Sequence, residues 1–78
     1  MKKIIIDNFK VGEEVLITTY NPPVKAKVSD MYEIPYNQVM LADKKSLQKY
    51  RGGNVPFFEV FLKDGKIASF IKDVVKKV

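Results

Sequence analysis

Hydrophobic and polar residues alternate along much of this chain. Over residues 24–29, Val, Ala and Val alternate with Lys, Lys and Ser, and residues 13–20 are rich in β-branched and aromatic side chains. A period of two is typical of strands that bury one face and expose the other. The Asn-Pro-Pro step at 21–23 favours a turn. The pattern therefore predicts two consecutive strands joined by this turn.

A second pair of alternating strands surrounds an Asp-Gly step at 64–65. This step is a strong hairpin signal and predicts a type I′ turn, in which both central residues have positive φ. One face of the first strand carries Phe58, Val60 and Leu62. The opposite face carries Phe57 and Phe61, so we expect another part of the chain to cover these rings.

In total, the pattern predicts five strands, at 13–20, 24–33, 38–43, 57–63 and 66–71, with a short N-terminal strand at 3–6 as an addition. The C-terminal KDVVKKV is too short for an independent helix and predicts one helical turn or a final closing strand. No linker divides residues 1–78, which predicts a single domain. Five short antiparallel strands favour a small closed all-β barrel, because closure removes exposed sheet edges.

Three short motifs resemble those of small SH3-like barrels of the KOW and Tudor type. They are Val11-Gly12-Glu13 before the first strand, Asp64-Gly65 between two late strands and Asp73-Val74 near the end. The resemblance covers most of residues 9–78 and implies a five-stranded antiparallel SH3-like barrel, with a short C-terminal helical turn as an addition. The sequence departs from KOW motifs at PPVKAKVSDMY, which lacks the glycines that allow close approach to RNA. An SH3-like barrel hosts many functions and does not name one.

The net charge of +5 is concentrated in one short stretch. Residues 44–54, KKSLQKYRGGN, hold four bases and no acid, whereas the other 67 residues hold ten bases and nine acids and sum to +1. We call residues 44–54 the basic segment. Clustered charge creates a potential that attracts acidic partners, so this segment is the first candidate binding site.

The basic segment has two interpretations. In the first, its basic side chains neutralise nucleic-acid phosphates while its tyrosine stacks on a base; these residues are Lys44, Lys45, Lys49, Tyr50 and Arg51. Lys25 and Lys27, on the polar face of the second strand, are secondary candidates for contacts with the nucleic acid. In the other interpretation the segment is a solvated crossover with Leu47 and Tyr50 packed against the barrel rim, and the strand lysines only keep an exposed face soluble.

Several kinds of chemistry are excluded by composition. The chain has no histidine and no cysteine, which removes Cys-His nucleophiles, Ser-His-Asp triads and the usual zinc sites. Glu13 and Glu14 are adjacent on a strand and point to opposite faces. Gly52-Gly53 precedes a strand and lacks the Lys-Ser/Thr of a phosphate-binding loop. We therefore expect no catalysis, no cofactor and no metal.

The favoured function is a non-catalytic nucleic-acid-binding module. Lys outnumbers Arg 13 to one, which favours weak sequence preference, and DNA and RNA stay equally open. The alternative is a protein-interaction adaptor of phage or plasmid type that uses a sheet edge and exposed aromatics such as Tyr32 and Tyr36. Homo-oligomers formed through an open strand edge fit either function. The first 20 residues contain no apolar run of signal-peptide or membrane-span length, which predicts a cytoplasmic protein.

Overall fold

The computed structural model describes residues 2–40 and 45–78. Its strands are β1 (Lys2–Lys3), β2 (Glu14–Ile17), β3 (Val24–Pro35), β4 (Asn54–Phe61), β5 (Ile67–Ile71) and β6 (Val75–Lys77). Short 3₁₀ helices cover Tyr36–Gln38, Lys45–Tyr50 and Lys72–Val74. The prediction of a small all-β domain with a short C-terminal helical turn is confirmed. The tail forms both of the predicted elements, since the turn at 72–74 leads directly into β6.

All strand pairs are antiparallel, in the order β5-β4-β3-β2-β6, and β1 pairs with the far end of β3. Within the described residues this path is an open sheet, because its outermost strands, β5 and β6, do not pair with each other. The prediction that the sheet closes into a barrel is therefore wrong for the described residues. In the part of the chain that the structure describes, the sheet has six strands. Four of the five main predicted strands are present, together with the predicted N-terminal strand and closing strand, whereas the strand predicted at 38–43 is absent over its described part. In the described ranges, no helix is long and apolar enough to cross a membrane.

A β-bulge in β3 divides that strand into two halves of opposite side-chain parity. The β3–β4 register shifts between Val28 and Asp30, so Ser29 is the additional residue. As a result Val28 and Met31, three residues apart, both lie in one core cluster, whereas Tyr32 lies in another. Strict alternation would have placed Val28 and Tyr32 on the same face.

The main core fills the inner face of the sheet. It contains Ile6, Phe9, Val15, Ile17, Ala26, Val28, Met31, Phe58, Val60 and Val75. Leu62 packs against it, so the predicted common face of Phe58, Val60 and Leu62 is confirmed. Phe9 meets Phe58 edge to face, with ring centroids 4.8 Å apart, which fixes the loop before β2 over the core.

A second core lies on the opposite, outer face of β3 and β4. Its buried members are Tyr32, Val39, Leu47, Val55 and Phe57. The Tyr32 and Phe57 rings stack with centroids 5.6 Å apart, and the Tyr32 hydroxyl donates a 2.8 Å hydrogen bond to Ser69 Oγ. The predicted cover of Phe57 is therefore supplied by Leu47 and Val39, which come from the connection between β3 and β4. The same expectation for Phe61 was wrong, because its ring is 47% exposed.

Several predicted boundaries were wrong. Gln38 belongs to the first 3₁₀ helix and residues 39–40 form no strand, while 41–43 lie outside the described residues. Val39 is buried in the second core without a partner strand, which explains why its apolar character resembled a strand signal. The N-terminal strand covers Lys2–Lys3 rather than 3–6, and the first long strand ends at Ile17 rather than at residue 20.

The hairpin at Asp64-Gly65 is confirmed, but its turn type is not I′. Gly65 has φ +85°, whereas Asp64 is not among the residues with positive φ. The Gly65 N–H donates to the Leu62 carbonyl, and the Leu62 N–H donates to the Lys66 carbonyl. This pattern is a type I turn followed by a glycine bulge, in which only the glycine needs the left-handed conformation.

Candidate nucleic-acid interface

The basic segment is anchored to the sheet by one apolar side chain. Lys45–Tyr50 forms a 3₁₀ helix, and Leu47 at its centre is 0% exposed in the second core. Tyr50 packs partly buried against the same core. The prediction that Leu47 and Tyr50 are packed against the domain is thus confirmed, although they pack against the outer face of an open sheet and not against a barrel rim. Lys44 lies outside the described residues.

Tyr50 and Lys49 are both bound to Asp73, in the 3₁₀ turn before β6. The Tyr50 hydroxyl donates a 2.5 Å hydrogen bond to Asp73 Oδ1, and Lys49 forms an ion pair with Oδ2. Partial burial alone would raise the pKa of the Asp73 carboxyl, but these two contacts outweigh it and the pKa is lowered. Burial and then Asp73 raise the pKa of Tyr50 to about 12. Lys49 and Tyr50 therefore each have a structural partner within the chain.

The secondary candidates, Lys25 and Lys27, lie at the other end of the β3–β4 ladder. Lys27 is paired with Phe61 at one end, and Pro35 with Asn54 at the end next to the basic segment. Eight residues of strand separate these ends, which corresponds to about 25 Å at roughly 3.3 Å per residue. Lys25 and Lys27 therefore lie far from Asn54, where the basic segment joins β4.

Additional lysines surround Lys25 and Lys27. Leu16 is paired with Lys25 on one side and with Lys76 on the other, so both lysines project from the same face as Leu16. Lys63, in the turn after β4, lines the same groove as Lys25 and Lys27. Two acids line the grooves around these bases: Glu14 lies beside Lys25 and Lys27, and Asp64 lies beside Lys63, which leaves a charge of +2 for the four lysines and two acids. Glu14 lies 3.9 Å from Lys25, and an exposed pair at this distance is weak.

Two exposed aromatic rings accompany these lysines. Phe61 is 47% exposed directly across from Lys27, and Tyr20 is 41% exposed at the tip of the β2–β3 connection. Tyr20 lines a groove with Lys63, and its ring is oriented by an edge-to-face contact with Phe70 at 6.1 Å. We call the six residues Tyr20, Lys25, Lys27, Phe61, Lys63 and Lys76 the basic face.

The sequence analysis missed four of these six residues as members of a nucleic-acid site: Tyr20, Phe61, Lys63 and Lys76. Phe61 could have been found from the alternation of side chains along β4, which places its ring on the same face as Phe57. The second core covers Phe57 but stops short of Phe61. Lys76 could not have been found, since its position depends on the pairing of β6 with β2.

Two aromatics assigned to the adaptor alternative are not exposed. Tyr32 is buried in the second core, and its hydroxyl bonds to Ser69. Tyr36 begins the first 3₁₀ helix, and its side chain is half-buried against the second core rather than exposed. The bulge at Ser29 places Tyr32 on the outer face of the sheet, where the second core buries it. The first 3₁₀ helix places Tyr36 against the same core.

The described residues contain no group of three or more acidic, histidine or cysteine side chains placed to hold a metal ion. Comparison with known protein families, with curated proteins and with solved structures gives no match for this chain. The likeness to KOW and Tudor barrels thus stays a resemblance of short motifs. The fold and the basic face together define a small antiparallel all-β domain with a lysine-rich, partly aromatic surface.

Proposed function

We propose that this chain is a non-catalytic module that binds single-stranded nucleic acid with weak sequence preference through its basic face. The observation that carries the proposal is the pairing of Phe61 with Lys27, in a groove that Lys25 and Lys63 also line. An exposed ring offers a base a stacking surface worth about 1–3 kcal/mol. Lysines neutralise phosphates as point charges and discriminate little between bases.

Single strands fit this face better than a duplex does. The bases of a duplex are already stacked on one another, so the rings of Tyr20 and Phe61 would find no free base. Sequence-specific duplex readers commonly place an α-helix or a β-ribbon in the major groove. The helices of the described ranges are 3₁₀ turns of three to six residues, too short to act as the α-helix of such a reader.

The basic segment has a different role in this proposal. Leu47 and Tyr50 attach it to the second core, and Lys49 pairs with Asp73, so it closes the outer face of the sheet. Lys45 and Arg51 are exposed and add to the positive potential that attracts a polyanion. The protein-interaction alternative can no longer use Tyr32 and Tyr36 as exposed aromatics, because both are packed in or against the second core. Only the sheet edge supports that alternative.

The test is fluorescence anisotropy with labelled single-stranded and duplex oligonucleotides over a salt series. Four lysine–phosphate contacts predict a log–log slope of about −2.8 on a single strand and about −3.6 on a duplex, from about −0.7 and −0.9 per contact. The double variant Lys27→Gln with Lys63→Gln should reduce the single-strand slope to about −1.4.

A matched control removes the same charge from the basic segment. Lys45→Gln with Arg51→Gln should leave the slope near its original value, since neither residue belongs to the basic face. The reverse pattern would assign binding to the basic segment and contradict the proposed surface. An absence of binding at low salt would contradict nucleic-acid binding altogether.

A further inference from the structure

The outer edge of β5 carries unpaired backbone groups. β5 is one end of the sheet, and within the described ranges it pairs with β4 alone. The Leu62 N–H donates to the Lys66 carbonyl at 2.8 Å, and the β4–β5 register continues from this pair to Phe57 and Ile71. Backbone groups along an antiparallel strand alternate in direction. Residues 66, 68 and 70 therefore bond to β4, and Ile67 and Ser69 direct their N–H and C=O groups away from the sheet.

This edge lacks the features that commonly prevent strand addition. Its sequence, IASFI, contains no charge and no proline, and the β4–β5 register is continuous. The opposite edge strand, β6, has two lysines. Ile67 is 58% exposed and is paired with the exposed Phe61, so an apolar surface lies directly beside the open backbone.

We propose that the β5 edge pairs antiparallel with the β5 edge of a second copy of this chain, centred on Ser69. In this register the outward groups of the two Ser69 residues bond to each other, and each Ile71 N–H meets the Ile67 carbonyl of the other copy. IASFI is self-complementary when reversed: Ile67 faces Ile71, Ala68 faces Phe70, and no charges oppose one another within the strand.

The side chains give a second reason to expect another copy of this chain at the β5 edge. Ile71 already packs against the second core, on the same face as Ile67. In the proposed pair, the exposed Ile67 of one copy would lie beside Ile71 of the other and extend its apolar surface. The second copy thereby covers the outer side of Ile67, while Phe61, on the β4 side of Ile67, stays open.

Electrostatic repulsion between copies gives the dimer a distinctive salt response. Each chain carries a net charge of +5, and the register places Lys66 opposite Lys72 just beyond the strand ends. Their ion pairs with Asp64 and Asp7 reduce this repulsion but do not remove it. Added salt should therefore strengthen dimerisation, whereas it weakens nucleic-acid binding. The two proposals can thus fail independently.

The first test is sedimentation equilibrium of the full chain at low and high salt. We expect a monomer–dimer equilibrium that tightens with salt and that Ile67→Lys weakens at least tenfold. The matched control is Val11→Lys, which places the same charge at an exposed apolar position in a loop and should leave the equilibrium unchanged. A chain that stays monomeric, or a dimer insensitive to Ile67→Lys, would overturn the proposal. A monomer that binds an extended peptide through the β5 amides would assign the edge to another protein and also overturn it.

The register has its own test, which needs no substitution. Because the Ser69 pair is hydrogen-bonded, Ala68 and the opposing Phe70 form a non-hydrogen-bonded pair with Cα atoms about 4.5 Å apart. In a mixture of isotope-labelled and unlabelled protein, an intermolecular contact should join Ala68 Hα to Phe70 Hα. A dimer without this contact would use another surface and contradict the proposal.

Discussion

The Tyr50 hydroxyl and the Asp73 carboxylate, 23 residues apart in the chain, are joined by a 2.5 Å hydrogen bond. This bond ties the basic segment to the 3₁₀ turn that leads into β6. Lys49 binds the other oxygen of the same carboxylate. The sequence predicted that Tyr50 and Lys49 contact nucleic acid. In the structure both side chains are bound instead to Asp73 of the same chain.

The Tyr50→Phe variant tests the structural role of this bond. It keeps the ring packed and removes one hydrogen bond to a charged acceptor, so we expect a loss of about 1–2 kcal/mol in the free energy of unfolding. Urea denaturation measures this loss. Tyr20→Phe is the control, because the Tyr20 hydroxyl donates no hydrogen bond within the described ranges and should cost little. Equal stability of Tyr50→Phe and the parent chain would show that the bond does not hold the segment.

The alkaline titration of Tyr50 follows from the same contact. Burial and then Asp73 raise its pKa from 10.0 to about 12, so folding favours the neutral phenol. This contribution to stability is fully present below pH 10 and is lost as the pH rises through about 12. Phenolate absorbance should show a step near pH 12 that Tyr50→Phe removes. A step of the same size in that variant would contradict the assignment.

The Leu47→Ala variant distinguishes a packed cover from a mobile arm. Leu47 is fully buried in the second core, so truncation should lower the free energy of unfolding by about 2–4 kcal/mol. Urea denaturation provides the measurement. Met40→Ala, at a side chain 94% exposed, is the control and should change stability little. A small effect of Leu47→Ala would mean that the segment detaches readily from the sheet.

The Phe61→Ala variant tests the aromatic part of the basic face. Loss of one stacked base should cost about 1–3 kcal/mol of binding to single strands, a weakening of roughly 5- to 150-fold. The salt slope should stay unchanged, because no lysine is removed. Anisotropy measures both quantities, and Tyr50→Phe is the binding control. Unchanged affinity after Phe61→Ala would exclude stacking on this ring.

The Gly65→Ala variant tests the corrected turn. Gly65 has φ +85°, a conformation that costs an alanine roughly 1–2 kcal/mol. Gly53→Ala is the matched control: Gly53 has no positive φ, and its nearest contact to an added Cβ would be 3.6 Å. Thermal or urea unfolding should therefore show a loss for Gly65→Ala only. Similar losses at both glycines would contradict the assigned turn.

Local patterns were sufficient for most of the sheet and for part of the site. The alternation around Val24 and Phe58 predicted the core faces, because side chains in a strand point alternately to its two faces. The same alternation predicted that Phe57 needs cover, and Lys25 and Lys27 were correctly placed on an exposed face. The strand predicted at 38–43 was wrong over its described part, because an apolar residue such as Val39 signals burial and does not specify the element that buries it.

The sequence by itself determined the fold class, the late hairpin and the basic character of the chain, since these depend on neighbours a few residues apart. Only the tertiary structure decided which charged side chains are paired and which lie together on one face. Asp73, in the last 3₁₀ turn, forms an ion pair with Lys49 and accepts a hydrogen bond from Tyr50. Lys76 lies on the same face as Lys25 because β6 and β3 both pair with β2. Contacts across such separations depend on sheet register, and the bulge at Ser29 shifts that register by one residue. A shift of one residue reverses the facing of every side chain beyond it, which alternation alone does not reveal.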